Sequence, residues 1–196
     1  MKSNDSLLFL RSFVKSPKNV GSIIPSSRFL ANAMVKQAIW QGNMAVAELG
    51  AGTGAITRYI QKNGHENTKV LLFEMDQRMR SNLRIKYPNF TSHPNAAALL
   101  NTMKNEGIDA LDYIFSGLPF FNFERTLRDT LIEQIHQALK PGGQFIAFQY
   151  SLQMKKQLSE KFIIEKIVFV PLNIPFAYVY VCRKKESNAK PQSSLL

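Results

Sequence analysis

The chain has 196 residues, of which 45% are hydrophobic and 20% are charged. This length and composition suit one soluble globular domain with a full core and leave no room for a second catalytic domain. Lysine and arginine number 25 against 14 aspartate and glutamate, and the net charge of +11 predicts an anionic partner, either nucleic acid or an anionic membrane surface. A single cysteine permits no intrachain disulfide and no cysteine metal cluster.

The apolar segments of the chain are short. None approaches the length of about 20 residues that a membrane-spanning helix requires. The N-terminus also lacks the apolar stretch and small-residue cleavage site of a secretory signal. We therefore expect the protein to stay in the cytoplasm.

Residues 5–16 have the pattern of a short amphipathic helix, which Pro17 ends because proline cannot continue the hydrogen-bond ladder. Leucine and aromatic side chains occupy one side, and Arg11 and Lys15 lie on the other. Such a helix can lie in a membrane interface, with its cations near the lipid phosphates. The pattern fits a helix that packs on the domain equally well.

A glycine-rich turn follows the first predicted strand. Residues 46–55 read VAELGAGTGA, a short apolar strand with Glu48 near its end and then three glycines in five residues. We expect this backbone to pass very close to a bound ligand. Gly50, Gly52 and Ala55 also fit the relaxed dinucleotide pattern, so the turn alone does not separate another nucleoside-like ligand from NAD.

The second predicted strand, residues 69–74, ends in Glu74. A NAD site would also have an acid at this distance from the glycine turn, where it binds the ribose. Glu74 therefore indicates a ribose more firmly than it indicates a methyl donor.

The rest of the chain alternates between helix and strand. The predicted helices cover residues 28–39, 77–87, 124–139 and 152–162, and the predicted strands cover residues 90–92, 111–115, 144–150, 167–170 and 177–182. This alternation predicts an α/β fold with a doubly wound sheet, whose ligands bind outside the carboxyl ends of the central strands. The last two strands are joined closely enough to form an antiparallel hairpin at one edge of the sheet.

Four blocks of sequence resemble bacterial phospholipid N-methyltransferases, which are class I S-adenosylmethionine-dependent methyltransferases related to the ribosomal RNA adenine dimethylases. They are FLRSF with SP (residues 9–17), GSIIPSS (21–27), ELGAGTG (48–54) and SGLP (116–119). The resemblance spans about residues 7–183. It implies a Rossmann-like fold with a seven-stranded, mostly parallel sheet and an antiparallel C-terminal edge strand.

The resemblance also implies S-adenosylmethionine as the cofactor. In the family, the acid at the position of Glu48 lies near the methionyl amine of the cofactor, and the acid at the position of Glu74 binds its ribose hydroxyls. The glycines let the backbone approach the carboxylate and ribose of the cofactor. Asn95 replaces an aspartate that often accepts a hydrogen bond from adenine, and its amide oxygen retains that ability. The implied cofactor-binding residues are Glu48, Gly50, Ala51, Gly52, Gly54, Glu74, Met75, Asn95, Ala96 and Ser116.

The SGLP segment bears on the methyl acceptor. Adenine dimethylases use an asparagine amide and a proline carbonyl here to grip a planar amino group, whereas this chain has Ser116 in the asparagine position. Serine lacks a planar amide, so it favours an alkyl amine over a flipped base. The implied catalytic residues are Ser116, Gly117, Leu118, Pro119 and Tyr150.

A strong general base is missing from these motifs. Tyr150 and Asp112 are candidates, and a purely structural hydrogen bond is the alternative for each. Phe120, Phe121 and Phe123 either surround a methylated ammonium by cation–π attraction or cover the core.

We therefore expect a monomeric enzyme that methylates phosphatidylethanolamine and its methylated derivatives at the inner face of the cell membrane, peripherally bound and without a metal. Residues 1–40 would form a helical arm on the membrane and substrate side, with residues 5–16 on the anionic surface. Residues 41–185 would form the cofactor-binding domain, and residues 186–196 a disordered tail. The alternatives are methylation of ribosomal RNA at adenine N6, cofactor binding without turnover, and a NAD oxidoreductase.

Overall fold

Residues 27–185 are described by a computed structural model, in which seven strands form one sheet. The strands are β1 (Ala45–Leu49), β2 (Lys69–Phe73), β3 (Thr91–His93), β4 (Leu111–Ser116), β5 (Leu139–Gln149), β6 (Phe162–Val170) and β7 (Ala177–Lys184). The helices are α1 (Arg28–Val35), α2 (Thr57–Asn63), α3 (Gln77–Lys86), α4 (Leu99–Asn105), α5 (Arg125–Ala138) and α6 (Lys155–Lys161), with 3-10 turns at Ala96–Ala98 and Phe120–Asn122. The predicted helix at 5–16, the GSIIPS segment and the tail from residue 186 lie outside the described residues.

The strand order is β3-β2-β1-β4-β5-β7-β6. Strands β1 to β5 pair in parallel, and β7 is antiparallel to both β5 and β6. The doubly wound α/β fold, its seven strands and the antiparallel hairpin at one edge are thereby confirmed, with β6 as the outermost strand of that hairpin.

Two apolar clusters form the core, one on each face of the sheet. Ala47 and Leu49 belong to one cluster, whereas Val46 belongs to the other together with Leu30 and Met34 of α1. A parallel sheet covered by helices on both faces requires apolar residues at nearly every strand position. This requirement explains why β1 and β2 read as continuous apolar runs.

Some element boundaries differ from the prediction for local reasons. Helix α1 ends at Val35 because the amides of Gln37 and Ala38 bond three residues back, which closes the last turn tightly. Strand β6 begins at Phe162, immediately after α6, because Phe162 is buried and pairs with Lys184. The Pro-Gly-Gly segment, residues 141–143, lies within β5 where its register with β4 shifts.

Candidate active site

The carboxyl ends of neighbouring parallel strands meet at one edge of the sheet, which we call the carboxyl-end rim. Leu49 pairs with both Phe73 and Ser116, and Phe73 pairs with His93, so the strands end in register. The loops after β1, β2, β3 and β4 therefore meet at this rim. It brings together the predicted site residues at 48–54, 74–75, 95–96 and 116–119, and Tyr150 follows β5 on the same side.

The glycine turn has a backbone that L side chains rarely adopt. The φ angles are +77° at Gly50, +55° at Gly52 and +85° at Gly54. A Cβ atom at Gly54 would lie 3.0 Å from the Tyr87 ring, but one at Gly52 would have no atom of residues 27–185 within 4 Å. Gly52 thus presents bare backbone to open space, as a close-fitting ligand requires.

Glu74 ties the glycine turn to the loop after β2. Its Oε2 accepts from the amide of Gly52 at 2.7 Å, and its Oε1 accepts from the amide of Asp76 at 2.8 Å. The Arg80 guanidinium in turn donates to the carbonyls of Glu74 and Met75 at 2.8 and 3.0 Å. Because each carboxylate oxygen has two lone pairs, Glu74 retains acceptor capacity toward a ligand.

Glu48 is fully buried below this turn. The Thr57 hydroxyl donates to its Oε2 at 2.6 Å, whereas Oε1 has no hydrogen-bond partner among residues 27–185. Burial raises the pKa of Glu48 to about 8, although the Thr57 hydrogen bond opposes the shift. An unpaired buried acceptor is costly, so this oxygen is a natural partner for a ligand that brings a donor.

The loop after β4 packs directly on the glycine turn. A Cβ atom on Gly117 would lie 3.2 Å from the carbonyl oxygen of Gly50, so only glycine permits this approach without displacement. The loop is braced at its next residue, since the Leu118 amide donates to Ser116 Oγ at 3.1 Å and Gln149 Nε2 donates to the Leu118 carbonyl at 2.9 Å.

Sequence reasoning missed the side chains that hold the rim loops from other elements. These are Thr57 below Glu48, Arg80 behind Glu74, Gln149 behind Leu118, and Gln134 of α5. Gln134 donates to the Ala97 carbonyl and accepts from the Leu100 amide at 3.2 Å, next to Asn95. Each is one polar residue in an ordinary helix or strand pattern, which carries no signal in a single sequence.

Asn95 caps the 3-10 turn at this edge. Its Oδ1 accepts from the Ala97 amide at 2.9 Å. The oxygen predicted to accept from adenine is therefore already engaged once, and its second lone pair remains for a ligand.

Asp112 lies at the amino end of β4, away from the rim, and its candidacy as a general base is wrong. Its Oδ2 accepts from the Ala45 amide at 2.8 Å, and its Oδ1 pairs with Lys140. These contacts brace the start of β1 and the entrance to β5.

The aromatic candidates divide between core and rim. Phe120 and Phe123 are buried, with their ring centroids 6.1 Å apart, so they cover the core, whereas Phe121 is half-exposed. Tyr150 stacks edge-on against Phe148 at 5.6 Å, and its hydroxyl makes no hydrogen bond within residues 27–185.

No group of three or more His, Cys, Asp or Glu within residues 27–185 is arranged to hold a metal ion. In the same part of the chain, no helix is both long and apolar enough to cross a membrane.

Comparison with known proteins identifies the family. The methyltransferase domain profile matches residues 46–143. An ornithine lipid N-methyltransferase of Singulisphaera acidiphila is 32% identical over 184 residues, which cover 91% of this chain and 96% of that protein. The chain belongs to the methyltransferase family. This methyltransferase is also 32% identical over 93 residues to ribosomal RNA small subunit methyltransferase A of Thermotoga petrophila, a match that covers 45% of the chain and 34% of that protein.

Solved structures share the fold of the methyltransferase. Burkholderia thailandensis 1,6-didemethyltoxoflavin-N1-methyltransferase, with 1,6-didemethyltoxoflavin and S-adenosylhomocysteine bound, has a TM-score of 0.72 at 15% identity over 95% of this chain and 92% of that one. The N-methyltransferase NodS of Bradyrhizobium japonicum with S-adenosylhomocysteine has a TM-score of 0.64 at 12% identity over 79% and 83% of the two chains.

The cofactor of the methyltransferase is S-adenosylmethionine. The rim fits this molecule. Within residues 27–185, it offers a carboxylate oxygen on Glu48 without a hydrogen-bond partner, spare acceptor capacity on Glu74 and open space beside Gly52. The donor and acceptor set therefore matches a ligand that carries an ammonium and two hydroxyl groups.

Proposed function

We propose that this enzyme methylates the amine headgroup of a membrane lipid, namely phosphatidylethanolamine and its methylated derivatives, as a peripheral protein at the inner face of the cell membrane. The observation that carries the proposal is the 32% identity, over nearly the full length of both chains, to an ornithine lipid N-methyltransferase. Ornithine lipid and phosphatidylethanolamine share the reacting group, an alkyl amine at a lipid surface.

In this proposal, the loops after β1, β2 and β3 bind the cofactor. Glu48 accepts a hydrogen bond from the methionyl ammonium with the oxygen that has no partner within residues 27–185. Glu74 accepts from the ribose hydroxyls, and Asn95 contacts the adenine. The backbone of Gly50, Ala51, Gly52 and Gly54 allows close approach, and Met75, Ala96 and Ser116 complete the walls.

S-adenosylmethionine, when bound, supplies a methyl carbon on a positively charged sulfur. The neutral lipid amine would accept this methyl group through its nitrogen lone pair, and the electron pair of the broken carbon–sulfur bond would stay on sulfur. The chain must therefore align the amine and exclude water. We assign alignment to residues 116–119, which Gln149 braces against the glycine turn. The Tyr150 hydroxyl, which makes no hydrogen bond within residues 27–185, is the candidate group to relay a proton from the lipid ammonium to solvent, so that the neutral amine can react.

Methylation of ribosomal RNA adenine is the second candidate function. It is favoured by the match to ribosomal RNA small subunit methyltransferase A, which covers only 34% of that protein. Ser116 argues against RNA methylation, because serine offers no planar amide to a base and its hydroxyl already accepts a hydrogen bond from the Leu118 amide.

The test is transfer of labelled methyl groups from S-adenosylmethionine to purified phosphatidylethanolamine, ornithine lipid and total RNA, in parallel and at two salt concentrations. We expect label in phosphatidylethanolamine. Label in ornithine lipid alone would replace the substrate but keep the reaction, and label in RNA would overturn the proposal. Cofactor binding without transfer to any acceptor would mean a protein that binds S-adenosylmethionine without turnover.

A further inference from the structure

Exposed apolar side chains cluster at one end of the β6–β7 hairpin. Leu172 and Ile174, in the loop between the strands, are 61% and 78% exposed. Phe169 and Phe176 beside them are half-exposed, with ring centroids 5.5 Å apart. We call these four residues the hairpin patch. Single exposed apolar residues are ordinary, but a contiguous group marks an interaction surface.

The hairpin patch lies on the carboxyl-end rim. Strand β7 runs antiparallel to β5, and Tyr178 at its start pairs with Gln149 at the end of β5. Gln149 is the residue that braces Leu118 in the loop after β4. Strand β7 is two positions from β4, so the patch is about 10 Å from the candidate acceptor loop along the sheet.

Basic residues begin the helices that cover both faces of the sheet, at the end of the sheet that carries the patch. Arg28 begins α1 on one face, directly after Ser27, whose amide donates to Asn173 Oδ1 of the loop at 3.0 Å. Exposed Lys155 and Lys156 begin α6 on the other face. The loop itself, residues 171–176, carries no charge. Glu74 and Asp76, by contrast, follow β2, which is four positions from β7 in the strand order.

We propose that the hairpin patch inserts into the apolar region of an anionic bilayer, with Arg28, Lys155 and Lys156 among the lipid phosphates. An apolar wedge between cations is the arrangement by which proteins bind membrane interfaces. Insertion would turn the carboxyl-end rim toward the lipid headgroups. The inference rests on the proposed function, since it explains how a lipid amine reaches residues 116–119, and it adds a membrane contact separate from residues 5–16.

The first test compares two double variants of the full chain. Leu172→Ser with Ile174→Ser removes the tip of the patch. Ile39→Ser with Ile85→Ser is the matched control, because these side chains are 65% and 81% exposed but lie before β1 and near the end of α3, toward the opposite end of the sheet. We expect about tenfold weaker co-sedimentation with vesicles of phosphatidylglycerol and phosphatidylethanolamine for the first pair only. Equal binding by both pairs would overturn the proposal.

The second test locates the loop in the bilayer. Ile174→Cys can carry an environment-sensitive fluorophore, because the native Cys182 is fully buried and escapes labelling. We expect quenching by lipids brominated on their acyl chains, and none for the same probe at Ile39→Cys. The probe at position 174 could instead be shielded from aqueous iodide without vesicles and from brominated lipid with vesicles. This result would mean that residues 1–26 cover the patch, and the proposal would be wrong.

Vesicle binding is measured without S-adenosylmethionine, so the two proposals fail separately. Insertion of the loop without methyl transfer to any lipid would remove the proposed function and keep the membrane surface. Methylation of lipid in detergent micelles, together with unchanged vesicle binding by the Leu172 and Ile174 variant, would keep the proposed function and remove the hairpin patch as a membrane surface.

Discussion

Gly52 and Gly107 are two glycines with the same local geometry in different places. Both have φ near +60°, and a Cβ atom at either would have no atom of the described chain within 4 Å. Alanine at either position should cost about 1 kcal/mol of stability from backbone strain. We predict that Gly52→Ala also weakens S-adenosylmethionine binding about tenfold or more, because its methyl group enters the space of the ligand. Calorimetric titration and chemical unfolding of both variants measure the two effects, and equal loss of affinity in Gly107→Ala would refute this explanation.

Glu48 should make stability depend on pH. The folded chain keeps the proton of this buried carboxyl up to a pKa of about 8, whereas the ordinary pKa is 4.5. The contribution of this carboxyl to the free energy of unfolding is therefore full below pH 4.5 and is lost as the pH rises through 8. Relative to Glu48→Gln, the natural chain should lose up to about 1.4 kcal/mol of unfolding free energy per pH unit within that window.

Urea unfolding of both proteins at several pH values, without cofactor, tests this prediction for Glu48. Parallel stability curves for the natural chain and the glutamine variant would show that the carboxyl is ionised in the fold.

At the scale of the elements, each rim loop is held by a side chain from a different element, which separates cofactor binding from turnover. Gln149 of β5 bonds the Leu118 carbonyl in the loop after β4, whereas Gln134 of α5 bonds the segment after Asn95. We predict that Gln149→Met lowers kcat about tenfold, since it frees the acceptor loop, and leaves S-adenosylmethionine affinity unchanged.

Gln134→Met is the matched control for the Gln149 variant and should do the reverse, with weaker cofactor binding. Steady-state kinetics and direct titration of both variants distinguish these effects. A loss of cofactor affinity in the Gln149 variant would mean that it supports the whole rim and not one loop.

For the whole molecule, the net charge of +11 and the position of the site lead to a prediction about membrane binding. Deletion of residues 1–16 should weaken binding to anionic vesicles several-fold, by removal of a basic and apolar segment, and spare S-adenosylmethionine affinity. Glu74→Ala should do the reverse, with a loss of affinity of about tenfold or more, because a charge-assisted hydrogen-bond acceptor is lost. Higher salt should release the vesicles without affecting cofactor binding.

Unchanged vesicle binding by the deletion variant would remove residues 1–16 from the membrane contact. The hairpin patch would then be the proposed membrane contact that remains.

The sequence by itself determined the fold and most of the elements, although it did not predict α4 (Leu99–Asn105). Period and composition locate the strands and helices, and the glycine turn with Glu48 and Glu74 indicates the ligand-binding edge, because these signals are local in the chain. Parallel strands that end in register then bring those residues together, as the sequence predicted.

Only the tertiary structure decided which side chains support that edge and which do not. From the sequence alone, Asp112 and Tyr150 are equally plausible bases. In the structure, however, Asp112 lies at the amino end of its strand and accepts a hydrogen bond from the Ala45 amide. Gln134 and Gln149 carry no local signal, because their partners are more than thirty residues away along the chain. The hairpin patch likewise exists only where folding leaves apolar residues uncovered, and exposure is a property of the packed chain that the pattern of a strand does not contain.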